Sequence, residues 1–173
     1  HIISVTANTN GESRITGFTF MGSPTNTSNP YNGAVNISGN CWEVRVDNCN
    51  FTNLYNDQLY IDGWCYGVVD HCSFIANFKI GVTVAMPTYG GHLYGDGSWS
   101  DDERLGSTNV ICVEDCYFFD EATNGPAANA LDVWAGGRAV FRYNYCLNTA
   151  PTTHGTETTG RDRGFRTLEV YEN

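Results

Sequence analysis

The chain has 173 residues and a net charge of −10, with 9 Lys and Arg against 19 Asp and Glu. Its hydrophobic fraction of 41% is too high for intrinsic disorder, and its abundance of Gly, Asn and Thr excludes a helical bundle. Nucleic acids and anionic membrane surfaces are poor partners, because both need clustered Lys and Arg and Lys79 is the only lysine. Membrane insertion is not expected either, since no apolar run reaches roughly 18 residues.

Along the chain, the first repeated element is a hexapeptide of the form Val, acid, polar residue, Cys, any residue, Phe. It occurs at 46–51, 69–74 and 113–118, and weaker copies lie at 15–20, 141–146 and 170–173. Its fourth position is occupied by Phe18, Cys49, Cys72, Cys116, Asn144 and Asn173. A short segment that recurs in this way predicts one strand per turn of a repeat protein.

A second alternating segment lies between the copies of the first, at 34–39, 59–63, 80–84 and 131–136. Gly-containing corners follow it, as in GNC at 39–41 and GWC at 63–65. A unit of this size cannot bury its apolar face alone, whereas stacked units share one core. Identical corner residues then lie about 4.8 Å apart, which predicts an Asn ladder and a Cys ladder along the stack.

These two repeats resemble the right-handed parallel β-helix family, the pectate-lyase-like fold, over residues 12–173. The resemblance implies an all-β, right-handed parallel β-helix solenoid of about five to six coils, with long loops flanking one face. The alternative is an antiparallel β-sandwich, but the chain lacks the hairpin signals that such a fold needs. Lyases, hydrolases, epimerases, phage tailspikes and adhesins share the β-helix fold, so the fold does not fix the function.

The chain is expected to form a single β-helix domain over 1–173, as a fragment or processed piece of a longer chain, because both ends lie in strand-like segments. Open ends of a solenoid expose unpaired strands, so end-to-end or trimeric self-association is also expected. The seven cysteines form no CxxC motif, which argues against a zinc ribbon. Disulfides such as Cys49–Cys72 or Cys41–Cys65 would require Cβ atoms about 3.8 Å apart.

The repeated acids Asp47, Asp70 and Glu114 occupy the second position of the hexapeptide. Stacked carboxylates repel one another at about 4.8 Å unless water or a metal separates their charges. We interpret them, with the neighbouring His71, as caps of a polar corner.

Long inserts at 21–33, 85–108, 119–129 and 147–164 border the second strand segment on both sides and predict a groove over its outward face. Strand alternation predicts which residues lie inside, namely Leu59, Ile61, Ile80, Val82, Leu131 and Val133. The outward residues are then Tyr60, Asp62, Lys79, Thr83, Asp132 and Trp134. Aromatic rings beside carboxylates are typical of a carbohydrate site, although an ordinary solvated face is the alternative.

Two of the inserts carry further candidates. The 85–108 insert supplies His92, Tyr94 and Trp99 for substrate binding, and Asp96, Asp101 and Asp102 as a calcium site, with a solvated charge run as the alternative. The last insert brings His154 together with Arg161, Arg163 and Arg166. Grouped arginines suit recognition of a carboxylate, although salt bridges within the loop would explain them equally well.

The expected function is that of a secreted or surface-exposed carbohydrate-active protein, either a polysaccharide lyase or a glycoside hydrolase. The alternative is a non-catalytic carbohydrate-binding, adhesive or structural module of a larger surface or phage-tail-like assembly. The catalytic candidates are Asp62, Lys79, Asp132, His154 and Arg163. The substrate-binding candidates are Tyr60, His92, Tyr94, Trp99, Trp134, Arg161 and Arg166. The partner is a polysaccharide or glycan, and Ca²⁺ is the one cofactor considered.

The two enzyme classes make different demands on these residues. A lyase needs a base, here Lys79 or an arginine, and a group that neutralises the uronate carboxylate. A hydrolase needs two carboxyl groups, and Asp62 and Asp132 are expected two strands apart, roughly 10 Å, which is slightly wide for an inverting pair. The net charge of −10 also opposes binding of a polyuronate without a metal.

Overall fold

The computed structural model describes residues 1–8, 11–22, 33–54, 56–75, 79–86, 105–121, 128–155 and 164–173. These residues form β-strands joined by short corners, and among them no helix is long and apolar enough to cross a membrane. The strands are β1 (Ile3–Ala7), β2 (Ser13–Thr16), β3 (Thr19–Met21), β4 (Val35–Asp47), β5 (Asn50–Thr52), β6 (Asp57–Asp70), β7 (Ser73–Ile75), β8 (Ile80–Ala85), β9 (Ile111–Glu114), β10 (Tyr117–Phe119), β11 (Ala128–Trp134), β12 (Arg138–Arg142), β13 (Tyr145–Leu147), β14 (Thr149–Thr153) and β15 (Thr167–Tyr171).

Every described pairing between strands is parallel, and the strands fall into three rows. Row A runs β1, β4, β6, β8, β11, β14, and row B runs β2, β4, β6, β9, β12, β15. Row C runs β3, β5, β7, β10, β13 as a separate five-stranded sheet. The prediction of an all-β fold built from parallel strands is confirmed, and the antiparallel sandwich is wrong.

Rows A and B belong to one ten-stranded sheet, because β4 and β6 are long enough to run through both. The sequence predicted two short strands there, separated by a Gly corner. Instead the chain bends within a continuous strand, at Gly39 (φ 95°) and Gly63 (φ 117°), where any Cβ at Gly63 would collide with the Gly39 carbonyl oxygen. Only glycine adopts this backbone conformation without strain.

The corner between rows B and C is formed by the third residue of the hexapeptide. Asn48, His71, Asp115, Tyr143 and Glu172 all adopt left-handed backbone conformations there, with φ between 51° and 56°. The same left-handed corner therefore recurs in successive copies of the repeat, and it carries the chain from the end of a row B strand into the next row C strand.

The interior is filled by apolar side chains that lie above one another. The six residues predicted to point inward on the second strand segment are all buried. In row C the sixth residue of the hexapeptide forms a stack of Phe20, Phe51, Phe74 and Phe118, with successive ring centroids 5.0, 4.8 and 4.8 Å apart. Rings stack face to face here because in-register parallel strands lie at the same spacing.

At this corner the Cys and Asn residues at the fourth position of the hexapeptide lie close to main-chain carbonyl groups. The Cys49, Cys72 and Cys116 thiols lie 3.2–3.3 Å from the carbonyl oxygen two residues before each of them, and 3.6–3.8 Å from one in the preceding copy of the repeat, those of Ile15, Val46 and Val69. Asn144 donates to the Val113 carbonyl at 2.9 Å, and Asn173 donates to the Phe141 carbonyl at 3.1 Å. Cys and Asn thus play the same part at this corner, and all seven cysteines are free thiols.

The repeated acids of row B are neutralised by arginines. Arg14 binds Asp47 at 2.5 Å, Arg45 bridges Asp47 (3.0 Å) and Asp70 (2.7 Å), and Arg142 binds Glu114 at 2.6 Å. The Arg14 hydrogen bond lowers the pKa of the Asp47 carboxyl. Arginine bridges between turns therefore offset the expected repulsion within this column of acids.

Candidate functional site

The outward face of row A brings several predicted residues into register. Tyr60 on β6 pairs with Thr83 on β8, and Thr83 pairs with Asp132 on β11. Two residues further along, Asp62 pairs with Ala85, and Ala85 pairs with Trp134. We call the first set the Tyr60 file and the second the Asp62 file; they lie about 6.6 Å apart along the strands.

The centre of this face is enclosed. Thr83, Ala85 and Asp132 are all buried although their side chains alternate with the core positions. Within the described residues, the Thr83 hydroxyl has no hydrogen-bond partner. A buried hydroxyl without a partner is unusual in a folded protein.

Asp132 and His154 form a hydrogen-bonded pair at the edge of this face. β14 pairs with β11, and the backbone N–H of His154 continues that pairing by donating to the Val133 carbonyl at 3.0 Å. The His154 Nδ1 atom lies 2.7 Å from Asp132 Oδ1. Asp132 is only 1% exposed, so a buried carboxylate fixes the orientation of a partly accessible imidazole. An ionised carboxylate can only accept, so Nδ1 donates in this pair.

Two aromatic rings flank the enclosed centre. The Tyr60 and Trp134 ring centroids are 6.4 Å apart with an interplanar angle of 66°, although Thr83 and Ala85 on β8 separate their strands. Both side chains are half-buried. An edge-to-face pair of this kind offers ring surface beside polar groups, as sugar-binding sites do.

Asp62 lies in the same file as Trp134, with Ser38 on its other side. Burial raises the pKa of the Asp62 carboxyl above its usual value of 3.8. The register places Asp62 two strands and two residues from Asp132, so their Cα atoms are about 12 Å apart. This separation exceeds the roughly 10 Å expected from the strand count alone, because the two carboxylates lie on different files.

Of two further predicted residues, Lys79 lies away from the Asp132–His154 pair and the Arg166 backbone lies close to it. Lys79 is exposed and precedes β8, four residues and about 13 Å along the strand from Thr83. Arg166 is half-buried, and its backbone N–H donates to the Gly137 carbonyl at 2.8 Å, just after Phe165 N–H binds the His154 carbonyl. The arginine backbone is thereby fixed close to the end of β14.

The other predicted site residues lie outside the described residues. They are His92, Tyr94, Asp96, Trp99, Asp101, Asp102, Arg161 and Arg163. The described part of the chain contains no group of three His, Cys, Asp or Glu side chains arranged to hold a metal ion.

An aromatic cluster that the sequence reasoning missed extends the same face of β6. Trp64 follows Tyr60 and Asp62 in the alternation, and its ring lies 5.6 Å from Trp42 and 6.3 Å from Tyr66. Its indole N–H donates to the Tyr66 hydroxyl, and Trp42 is 53% exposed. The segment YIDGW carries the signal for this cluster, because Trp64 continues the alternation of Tyr60 and Asp62, but its Gly resembles the end of a strand.

Comparison with known proteins adds no relative. No protein-family model matches the chain, and neither a curated protein nor a solved structure is significantly similar to it.

Proposed function

We propose that this protein is a carbohydrate-active enzyme whose site lies on the outward face of row A. The observation that carries the proposal is the 2.7 Å hydrogen bond between His154 Nδ1 and the buried Asp132. A carboxylate that holds an imidazole in one tautomer is the usual way to prepare His for proton transfer at neutral pH. Nε2 is then the proton-transfer atom, and Asp132 is a positioning residue.

The pair suits either of the two expected reactions. In β-elimination, His154 would remove the proton from the carbon beside a uronate carboxylate, a carbon–carbon double bond would form as the C–O bond to the leaving sugar breaks, and the leaving oxygen would take a proton from water. In hydrolysis, His154 would take a proton from the attacking water, whose oxygen bonds to the sugar carbon as the glycosidic C–O bond breaks, while a carboxylic acid donates its proton to the leaving oxygen. Asp62 has the raised pKa that such an acid needs, but its register distance from Asp132 favours a role at a neighbouring sugar.

The surroundings favour an extended glycan as the substrate. Tyr60 and Trp134 supply ring surface, and the partly exposed Asp62 and His154 side chains supply hydrogen-bonding groups on the same face. The net charge of −10 favours a neutral polymer, or an acidic one only with a bridging cation such as Ca²⁺. Asp96, Asp101 and Asp102 remain the candidates for holding that ion, and Arg161, Arg163 and Arg166 for binding a substrate carboxylate.

The test is turnover of neutral and acidic polysaccharides with and without Ca²⁺. Ultraviolet absorbance of unsaturated products reports elimination, and new reducing ends without that absorbance report hydrolysis. We expect His154→Gln, which keeps an amide donor for Asp132, to lower kcat by at least about 100-fold. Asp132→Asn should have a similar effect, whereas the exposed Glu12→Gln should leave kcat unchanged. Full turnover by His154→Gln would refute the proposal.

A non-catalytic carbohydrate-binding module is the second candidate. It is supported by the exposed Trp42 ring beside Trp64, which lengthens the aromatic surface, and by the wide spacing of Asp62 and Asp132. Retention on a polysaccharide column that Tyr60→Ala and Trp134→Ala abolish, together with no turnover of any polymer, would establish this function instead.

A right-handed parallel β-helix of the pectate-lyase-like kind is part of the same proposal. Three parallel rows visited in turn support it, and connections between parallel strands of one sheet are nearly always right-handed. We also propose that the protein is secreted or displayed on a cell or virion surface. Its copies would associate through the ends of the stacked strands.

A further inference from the structure

A second groove lies at the corner between rows B and C, away from the outward face of row A. Its volume is about 650 Å³, and its walls come from four consecutive turns of the chain. One wall is formed by the outward-facing residues of row C, and the other by the left-handed corner between rows B and C. The groove therefore runs along the stack for about 14 Å, which is three strand spacings.

Tyrosine rings form the wall on row C. Tyr117 and Tyr145 are directly paired on β10 and β13, and their rings stack with centroids 5.5 Å apart and an interplanar angle of 19°. Tyr145 is 61% exposed. The next two positions along row C are Ser73 and Asn50, whose side chains hydrogen-bond at 2.7 Å. The outward-facing residues of row C thus change from aromatic at Tyr145 and Tyr117 to polar at Ser73 and Asn50.

The wall at the corner carries polar side chains that are fixed by hydrogen bonds to neighbouring charged residues. His71 Nδ1 lies 2.9 Å from Asp70 Oδ2, and Arg45 binds the same oxygen at 2.7 Å. Asp70 is buried, so the exposed imidazole of His71 is anchored to a neutralised carboxylate. Asp115 follows His71 in the next turn and is exposed.

Tyr143 continues this wall and is also fixed in position. Its ring is half-exposed and lies 5.6 Å from the Arg142 guanidinium and 6.3 Å from the Tyr171 ring. Its hydroxyl is hydrogen-bonded to the Glu172 carboxylate, which raises the pKa of the phenol. Side chains held by such supporting contacts lose little entropy when a ligand binds.

We infer that this groove is a second glycan-binding site, which takes an uncharged oligosaccharide lying along the stack. The Tyr117 and Tyr145 rings cover each other's inner faces, so a sugar can contact their edges and hydroxyl groups and the outer face of Tyr145, whose strand β13 ends row C. His71, Asp115 and Ser73 lie within the groove to bind hydroxyl groups. Arg45 and Arg142 are paired with acids, so the described lining offers no unpaired guanidinium for a uronate. The site goes beyond the proposed reaction, because it contains none of the residues assigned to that reaction.

The test is a titration of the ¹³C-labelled protein with neutral and acidic oligosaccharides, followed by NMR of the tyrosine and histidine rings. Using the Asp132→Asn variant prevents turnover and leaves this groove intact. We expect a neutral oligosaccharide to shift the Tyr117, Tyr145 and His71 ring signals, and Tyr145→Ala to weaken that binding about 3- to 10-fold. Phe18→Ala, which removes a ring that is 50% exposed and lies two copies of the repeat before His71, should leave the affinity unchanged.

The outcome is separable from that of the proposed enzyme. Tyr145→Ala should keep the turnover of short soluble substrates, whereas His154→Gln should lose turnover and keep binding in this groove. The inference is overturned if none of the oligosaccharides shifts these rings, if only acidic ones do, or if Tyr145→Ala binds as tightly as the parent.

Discussion

Asp62 combines partial burial with a position in the open face of row A. Its carboxyl group has a raised pKa because burial disfavours the charged form. The folded protein therefore holds a proton at Asp62 at pH values where the unfolded chain has released it. Stability contributed in this way is present below the unfolded pKa of about 3.8 and is lost as the pH rises through the folded value.

Asp62→Asn should therefore raise the melting temperature at pH 7 and have little effect at pH 3, where the parent carboxyl is already neutral in both states. Thermal unfolding across this pH range measures the difference, and the exposed Glu12→Gln is the control. A variant that melts below the parent at pH 7 would contradict the assignment. A gain in stability with a loss of turnover would identify Asp62 as a residue retained for function.

Single residues were predictable where strand alternation decides their direction. Tyr60, Asp62, Asp132 and Trp134 all lie on the predicted segments, because a period of two fixes the face of every residue in a strand. The pairing of His154 with Asp132 was not predictable, since it depends on the register between β11 and β14, and that pairing shifts by one residue between Asn129 and Leu131.

The arginine bridges of row B were missed for a related reason. Arg14 and Arg45 precede the acid position by two residues, which places both on one face of the strand. Their bonds to the carboxylates of the same and the next turn follow only once the turns are stacked in register. Sequence repeats identified the acid column but did not show what neutralises it.

For the strands, too, the local sequence pattern predicts some features, and others depend on how the strands stack. The hexapeptide predicted the recurrence of a strand and a polar corner, and the structure places its residues at equivalent positions in successive turns. The sequence did not predict that β4 and β6 run through two rows, because Gly39 and Gly63 look like strand ends. In the fold these glycines allow close approach of successive turns instead.

The corner hydrogen bonds lead to a prediction about Asn144. Its amide donates to the Val113 carbonyl, and its carbonyl oxygen accepts from the Cys116 N–H at 3.0 Å, both within the buried corner. Asn144→Ala leaves both backbone groups without these partners and should lower the free energy of unfolding by about 2 to 4 kcal/mol. Urea unfolding with an unchanged m value is the measurement.

Asn144→Cys is the matched control for that substitution. A thiol occupies the same position at Cys72 and Cys116, where it lies 3.6 Å from a carbonyl oxygen of the preceding copy of the repeat and 3.2–3.3 Å from the carbonyl oxygen two residues before it. It should therefore restore the donor to Val113 and lose less than half as much stability as Asn144→Ala. Equal losses for the two variants would show that the thiols contribute only packing.

On the scale of the whole molecule, acids outnumber bases. The net charge is −10, and three described arginines of row B, Arg14, Arg45 and Arg142, are each bound to an acid. The paired acids partly cancel the charges of these arginines. The electrostatic potential that an approaching ligand meets is therefore set by the excess of carboxylates. A charged polymer senses this field over about 30 Å at 0.01 M salt but only about 8 Å at 0.15 M.

Raising the salt concentration from 0.01 to 0.15 M should therefore strengthen retention of the protein on an immobilised polyuronate, measured in EDTA so that no divalent cation bridges the charges. Retention on a neutral polysaccharide should stay the same, because ring stacking and hydrogen bonds to sugar hydroxyls carry no net charge. Loss of retention on the neutral polymer at 0.15 M would contradict this account. Strong retention on the polyuronate at 0.01 M would point instead to a basic surface formed by residues such as Arg161 and Arg163, which lie outside the described residues.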